Sequence, residues 1–146
     1  DRRQRQMCIR DSFHAPKHDW LAEHNETLWA RAKTDYDPCP AGYRVPTTAE
    51  LSDLESVSAA DFDAVSGGFN FTQNGVQTWW QGCGNRDIGG YLTIFGQIFA
   101  WTSTVQSMGS GDSAFYFSER FIVDDWGAVI APGNRSFAQS IRCVAE

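Results

Sequence analysis

Asp124 and Asp125 are adjacent aspartates that directly precede Trp126. Carboxylate oxygens are hard ligands of the kind that Ca²⁺ prefers, and the ion takes roughly six to eight of them. The two aspartates are therefore candidate calcium ligands, with Asp112 or Glu119 adding a carboxylate if the loops converge. A second interpretation leaves both aspartates solvated in a turn.

Aromatic and arginine side chains supply much of the energy of binding hot spots, and a flat aromatic face suits a sugar ring. Such residues cluster shortly before the final strand, and two more come from the middle of the chain. We therefore predict a polar-rimmed aromatic surface on late loops, made up of Trp126, Asn134, Arg135, Phe137, Trp80 and Arg86. Within it, we expect the side chains of Trp126 and Arg135 to be exposed.

The histidines are His14, His18 and His24, so all lie within the first 24 residues. His14 and His18 have the i,i+4 spacing of a metal site on a helix, but Pro16 between them disfavours a regular helix. Surface histidines are the preferred interpretation. With no G-x-S-x-G or H-E-x-x-H motif present, the sequence predicts a protein that is not an enzyme.

The chain is acidic, with 12 basic and 18 acidic residues among 146 and a formal net charge of −6. Nucleic acid and anionic membrane surfaces both select a basic face, so the charge argues against either partner. The length and the 42% of hydrophobic residues fit one globular domain. No apolar run approaches the ~20 residues of a membrane helix.

Residues 1–12 differ from the rest of the chain, because they hold four arginines and few apolar residues. A flexible basic tail is one interpretation. The other is a segment that is not native, since RQRQMCIRDS resembles a translated sequencing adaptor. We favour the second, and we then expect a signal or anchor to have been lost upstream. The domain is predicted to comprise residues 13–146.

The stretch 36–54, YDPCPAGYRVPTTAELSDL, is predicted to organise the domain. Its prolines impose an extended or turned backbone, followed by a short strand at 43–45 with Val45 facing the core. Thr47 and Glu50 have the spacing of a capping box for a helix over 48–57. Apolar alternation around Asn74-Gly75 predicts a hairpin over 69–82, in which one of Trp79 and Trp80 faces the core.

The remaining segments predict an α+β domain with one or two helices and short, mostly antiparallel strands. Phe62 and Val65 are expected in one further helical turn. Strands are expected at 91–94, 99–105, 114–118, 128–130 and 140–144. The intervening residues 107–113, 120–126 and 131–137 are expected to form loops.

Four segments occur in a fixed order: DPCPAGYRVPT at 37–47, AWTSTV at 100–105, AFYFS at 114–118 and SIRCV at 140–144. Together they resemble the Fibrobacter succinogenes major paralogous domain, a family found widely in surface proteins of gut Bacteroides-type bacteria. The resemblance spans most of the chain from about Trp20 onward. It implies a C-type-lectin-like fold, distantly related to formylglycine-generating enzymes and to the variable proteins of diversity-generating retroelements.

The resemblance also implies a disulfide between Cys39 and Cys143, because first-to-last bridges occur in many C-type-lectin-like domains. Cysteine positions alone do not fix the pairing, and two buried thiols are the alternative. If the bridge forms, Cys83 is expected to be free and buried. No C-x₂₋₄-C pair is present for a structural zinc ion.

The function implied is that of a non-enzymatic adhesion or recognition module on a bacterial surface, or secreted, that binds a glycan or a protein. Three alternatives remain open. The first alternative is a structural subunit of a surface assembly such as a pilus tip. The second is a retroelement variable protein that binds a protein target through residues 107–137. Least favoured is an enzyme of the formylglycine-generating type, with Cys143 as the only cysteine near the end of the fold.

Overall fold

The fold is seen in a computed structural model. It describes residues 19, 21, 24–30, 32–56, 62–63, 65–73, 75–87, 89–93, 96–110 and 114–146. The segment 1–12, His14 and His18 lie outside these residues, as do Val57 and Asp112.

Antiparallel strands make up most of the described chain. They are β1 (Tyr43–Arg44), β2 (Phe62–Asp63), β3 (Gly68–Gln73), β4 (Val76–Gln81), β5 (Asn85–Arg86), β6 (Leu92–Thr93), β7 (Ile98–Met108), β8 (Phe115–Asp124), β9 (Gly127–Asn134) and β10 (Val144–Ala145). They form sheets of order β1-β10, β2-β3-β4, β5-β6 and β7-β8-β9. With one short α-helix among the described residues, the architecture is that of a small α+β or mostly-β fold.

The helix predicted over 48–57 is shorter than expected. α1 comprises Thr48–Leu51 and continues as a 3₁₀ turn over Ser52–Ser56. The capping box is confirmed, since the Glu50 carboxylate accepts hydrogen bonds from the Thr47 backbone N–H (2.9 Å) and hydroxyl (3.0 Å). Leu51 is buried, and Leu54 packs against the same cluster.

The core lies between the β3–β4 hairpin and one face of the β7-β8-β9 sheet. Phe71, Trp80 and Phe121 form its aromatic centre, with ring centroids 4.9 to 6.1 Å apart. The buried cluster also contains Leu51, Phe69, Ile98, Ala100 and Val123. The hairpin predicted over 69–82 is confirmed, and Trp80 is its core-facing tryptophan.

The C-terminal strand meets the chain next to a turn rich in proline, residues 37–42. The Cys39–Cys143 disulfide is present, with Cα atoms 5.7 Å apart and a sequence separation of 104 residues. Beside it, β1 pairs with β10, and Val45 is fully buried as predicted. Cys83 is free but exposed, so the expectation of a buried thiol was wrong.

The side chain of Lys33, an exposed residue, bridges several groups of this proline turn. The Lys33 ammonium donates to the backbone carbonyls of Cys39 (2.5 Å) and Tyr43 (2.9 Å) and lies 3.1 Å from Asp37 Oδ1. The same Asp37 oxygen accepts the Cys39 N–H at 2.8 Å. A buried carboxylate is thus balanced by a cation that also satisfies carbonyls which no regular structure pairs.

A bulge in β7, residues 102–104, joins the central sheet to this region, because the β7–β8 register shifts there. The Ser103 N–H donates to the Pro46 carbonyl at 2.8 Å. The Thr104 hydroxyl accepts the Thr48 N–H at 3.0 Å, so it satisfies a free donor at the start of α1. The T-S-T of the segment 100–105 is therefore hydrogen-bonded to the end of the segment 37–47 and to the residue after it.

The expected loops at 120–126 and 131–137 are mostly strand, which corrects the prediction. β8 continues through Arg120 to Asp124, and β9 continues through Pro132 to Asn134. Pro132 is tolerated because β9 is an edge strand of this sheet. Phe62 also forms strand β2 rather than a helical turn, and Val65 is 97% exposed.

Removing the disulfide tests the closure of the domain. We expect Cys39→Ser/Cys143→Ser to lower the free energy of unfolding by about 4–5 kcal/mol, because the bridge closes a long loop in the unfolded chain. Urea denaturation measures the loss. Cys83→Ser is the matched control and is expected to change stability by less than ~0.5 kcal/mol. Equal stability of the double variant and the control would contradict the prediction.

The Arg44–Glu50 ion pair should make stability depend on acid. The Arg44 guanidinium, 2.5 Å from Glu50, lowers the pKa of that carboxyl from near 4.5 to about 2. Because the folded pKa is the lower one, the contribution is complete above pH 4.5 and is lost as the pH falls toward 2.

The Glu50 side chain is 38% exposed, so screening limits the gain to about 0.5–1 kcal/mol. We expect Glu50→Gln to be less stable than the wild type at neutral pH, and the difference to vanish near pH 2. Thermal denaturation across this range measures it, with Asp125→Asn as an exposed-carboxylate control. A difference that persists unchanged at the acid end would argue against the ion pair as its cause.

Candidate functional site

The β8–β9 turn consists of Asp125 and Trp126, between the paired residues Asp124 and Gly127. The Asp124 carboxylate accepts the Trp126 N–H at 2.8 Å, and Gly127 has a φ of 124° that other residues rarely adopt. The turn is therefore fixed locally, and the Trp126 side chain projects from it. The predicted exposure of Trp126 is confirmed at 91%.

Apolar surface next to this turn is limited. Val129, in the following strand, is 48% exposed and pairs with the partly buried Ile122 of β8. Asp125 is exposed, whereas Asp124 is partly buried. We name Asp124, Asp125, Trp126 and Val129 the hairpin tip.

Arg135 is not exposed, which corrects the second half of that prediction. Only 8% of the residue is accessible, and its Nη1 lies 3.3 Å from Oδ2 of the buried Asp19. Its Nη2 donates to the Asn25 carbonyl at 3.2 Å. Burial lowers the pKa of Arg135, and the charges of Asp19 and Glu26 act in the opposite direction. The guanidinium of Arg135 thus binds residues of the N-terminal segment, Asp19 and Asn25, instead of facing solvent.

His24 belongs to the same cluster and is not an ordinary surface histidine. Its Nδ1 lies 2.5 Å from Asp19 Oδ2, and its Nε2 lies 3.1 Å from Glu26. The imidazole stacks on Tyr116 with ring centroids 3.3 Å apart and an interplanar angle of 8°. Both ring nitrogens therefore face carboxylates, and neither faces a serine or a threonine that it might activate.

A recess beside this cluster is lined by residues that include Ser103, Val105, Ser118, Trp29 and Arg135. Its volume is about 10 Å³, the space of roughly one water molecule. No sugar ring or peptide side chain fits there. The cluster of Asp19, His24 and Arg135 accordingly attaches the N-terminal segment to the sheet.

The other predicted contact residues are dispersed. Trp80 is only 8% exposed, at odds with a role in binding, and the Arg142 guanidinium lies 5.3 Å from its ring. Arg86 is exposed, with its Nη1 donating to the Gly90 carbonyl at 2.9 Å. The Phe137 ring lies 5.8 Å from the guanidinium of the partly buried Arg120. The Asn134 carboxamide accepts the Ser136 N–H at 2.9 Å.

The register shows why the predicted surface does not form. Gly127 and Asn134 are the two ends of β9, paired with Asp124 and Phe117 respectively. At ~3.4 Å per residue, the turn with Trp126 and the turn with Arg135 are about 24 Å apart. One surface cannot include both. The prediction assumed loops at 120–126 and 131–137. Strand β9 instead separates Trp126 from Arg135 and the residues around it.

The hairpin tip gathers too few carboxylates for the predicted calcium site within the described chain. No group of three or more His, Cys, Asp or Glu residues there has the arrangement of a metal site. Glu119, one suggested addition, accepts hydrogen bonds from the Thr48 hydroxyl and the Gln106 amide inside the fold. The other, Asp112, is outside the described residues.

Comparisons of the chain with protein-family models, curated proteins and solved structures found no match. The described residues also contain no helix that is long and apolar enough to cross a membrane.

Sequence reasoning missed Asp19 and Tyr116 as partners of His24 and Arg135, and Val129 as an exposed neighbour of Trp126. The Asp19–Arg135 contact spans 116 residues, so no local pattern signals it. An alternation signal was present for Val129, since Ala128 and Ile130 on either side pack against the core.

The buried Asp19–Arg135 pair should be strongly coupled. Arg135→Met leaves a buried carboxylate without its cation, and we expect a loss of about 3–5 kcal/mol in the free energy of unfolding. Asp19→Asn/Arg135→Met is expected to recover part of this loss, since neither charge then remains buried alone. A double-mutant cycle by denaturant unfolding measures the coupling, and purely additive effects would contradict it.

Proposed function

We propose that this chain is a non-enzymatic recognition module of a bacterial cell-surface or secreted protein, with a C-type-lectin-like fold. It binds a glycan or a protein through the hairpin tip. The observation that carries the proposal is Trp126, a large aromatic side chain that is 91% exposed on a turn fixed by its own hydrogen bond. Exposing such a side chain gives nothing to folding, whereas rigid aromatic residues are frequent anchors of binding.

Several contacts support the fold part of the proposal. The first and last described strands, β1 and β10, pair with each other, and the Cys39–Cys143 bridge lies beside them. The segments that carry the family resemblance also meet in space. The Ser140 N–H donates to the Phe99 carbonyl at 3.0 Å, next to the W-T-S-T segment.

The disulfide supports the localisation, because such bonds persist in oxidising compartments and are rare in the cytosol. It also argues against formylglycine-type chemistry, since the sulfur of Cys143 is bonded to Cys39. Within the described chain, both ring nitrogens of His24 face carboxylates, so this cluster lacks the histidine–hydroxyl contact of a nucleophilic site.

Binding should depend on Trp126 and not on exposed aromatic surface in general. The folded chain is applied to immobilised glycans and purified cell-surface proteins, together with Trp126→Ala and the matched control Tyr91→Ala. Tyr91 is 74% exposed but follows the separate β5 strand. We expect Trp126→Ala to lose at least about 30-fold in affinity, as a hot-spot aromatic does, and Tyr91→Ala to bind like the wild type.

Circular dichroism and thermal melts provide the folding control, and we expect both variants to match the wild type. If Tyr91→Ala abolishes binding and Trp126→Ala does not, the site lies elsewhere. If the chain binds none of the immobilised glycans and none of the purified cell-surface proteins, the recognition function is refuted.

A further inference from the structure

The hairpin tip also indicates which class of ligand it takes, an inference that rests on the proposed function. We infer that the ligand is a neutral saccharide bound without a metal ion. A pyranose ring lies against the indole of Trp126, while the carboxylates of Asp124 and Asp125 accept hydrogen bonds from its hydroxyl groups.

The extent of the exposed apolar surface favours a sugar over a protein. A stable protein interface buries about 800 Å² on each partner around an apolar centre. At the hairpin tip, the exposed apolar side chains are Trp126 and the half-exposed Val129, with Ile122 already partly buried. One indole face is enough for one pyranose ring, whose apolar C–H groups lie against it while its hydroxyls point outward.

The carboxylates retain acceptor capacity for those hydroxyls. Asp124 uses Oδ1 for the Trp126 N–H, which leaves Oδ2. Asp125 is exposed, and no donor within the described chain is hydrogen-bonded to its carboxylate. An ionised carboxylate only accepts hydrogen bonds, and its two oxygens can accept from two neighbouring hydroxyl groups. The tip thus combines an apolar face with acceptors that match a polyol.

Charge excludes the anionic sugars. Asp124 and Asp125 directly precede Trp126 in the same turn, and the chain as a whole has a formal charge of −6. The nearest basic residues along the chain do not neutralise them. Arg120 is held against the Phe99 ring, 5.5 Å from its centroid, and Arg135 is paired with Asp19. A uronic or sialic acid would place a third negative charge here, and neither of these two arginines is available to receive it.

The same donor set favours direct recognition over recognition through calcium. Ca²⁺ takes roughly six to eight oxygen ligands, and one of the four carboxylate oxygens at the tip is already used by the turn. The carboxylates that were candidate metal ligands are therefore assigned to the sugar itself. Binding should then be insensitive to chelators.

The experiment uses the whole chain on an array of neutral oligosaccharides, each printed beside its sialylated or uronate counterpart, with and without EDTA. We expect binding to neutral glycans only, with a change of less than about twofold on adding EDTA. Asp125→Asn is expected to weaken the binding of the best neutral ligand about tenfold, or about 1.4 kcal/mol, since a hydrogen bond to an ionised carboxylate is stronger than one to a neutral amide. The same variant should reduce the discrimination against the anionic counterpart.

Trp126→Ala separates the two levels of the argument. If anionic glycans bind equally or more tightly, or if EDTA abolishes binding, the inference of a neutral saccharide bound without a metal ion is overturned. In that case the proposed recognition function still stands, provided that the binding is lost in Trp126→Ala. A blank glycan array with Trp126-dependent binding to a purified protein does the same. Glycan binding that survives Trp126→Ala overturns both. Unchanged affinity and unchanged discrimination in Asp125→Asn remove the carboxylate from the mechanism.

Discussion

The polar contact between the bulge of β7 and the start of α1 joins the β7-β8-β9 sheet to the N-terminal part of the fold. Ser103 donates to the Pro46 carbonyl, and the Thr104 hydroxyl accepts the Thr48 N–H, so one short segment satisfies backbone groups left free just before α1 and at its start. Regular pairing along β7 is interrupted there, because the bulge turns its polar groups toward α1. The disulfide and the β1–β10 pair close the chain beside this contact.

The β7-β8-β9 sheet is partly covered on both faces. One face meets the aromatic core around Phe121, and the other is covered near Tyr116 by His24 and near Arg120 by Phe137. Polar and charged side chains along the sheet are used internally, as Glu119 is by Thr48 and Gln106. The β8–β9 turn is different, because its tryptophan points into solvent.

The proposed site therefore follows from what the fold leaves unused. Arg135 has the chemistry of a ligand contact, but the fold uses it to balance a buried aspartate, where unpaired burial would be costly. Trp126 and Asp125 have no such internal role among the described residues. An aromatic face and an acceptor carboxylate on a fixed turn are suited to bind a small, hydroxyl-rich ligand, which is the basis of the proposed recognition function.

Local signals in the sequence determined much of the framework. Spacing predicted the capping box at Thr47 and Glu50, alternation around Asn74-Gly75 predicted the hairpin over 69–82, and the placement of Trp126 on a late loop predicted its exposure. Each depends on neighbours within a few residues, which a linear pattern records. The tertiary structure decided the length of β8 and β9, the burial of Arg135 and the separation of the predicted site residues. Those outcomes depend on contacts such as Asp19–Arg135, across 116 residues, and the stacking of Phe137 on Arg120. Charged residues can occupy strands or become buried only where distant partners compensate them, and no local pattern carries that information.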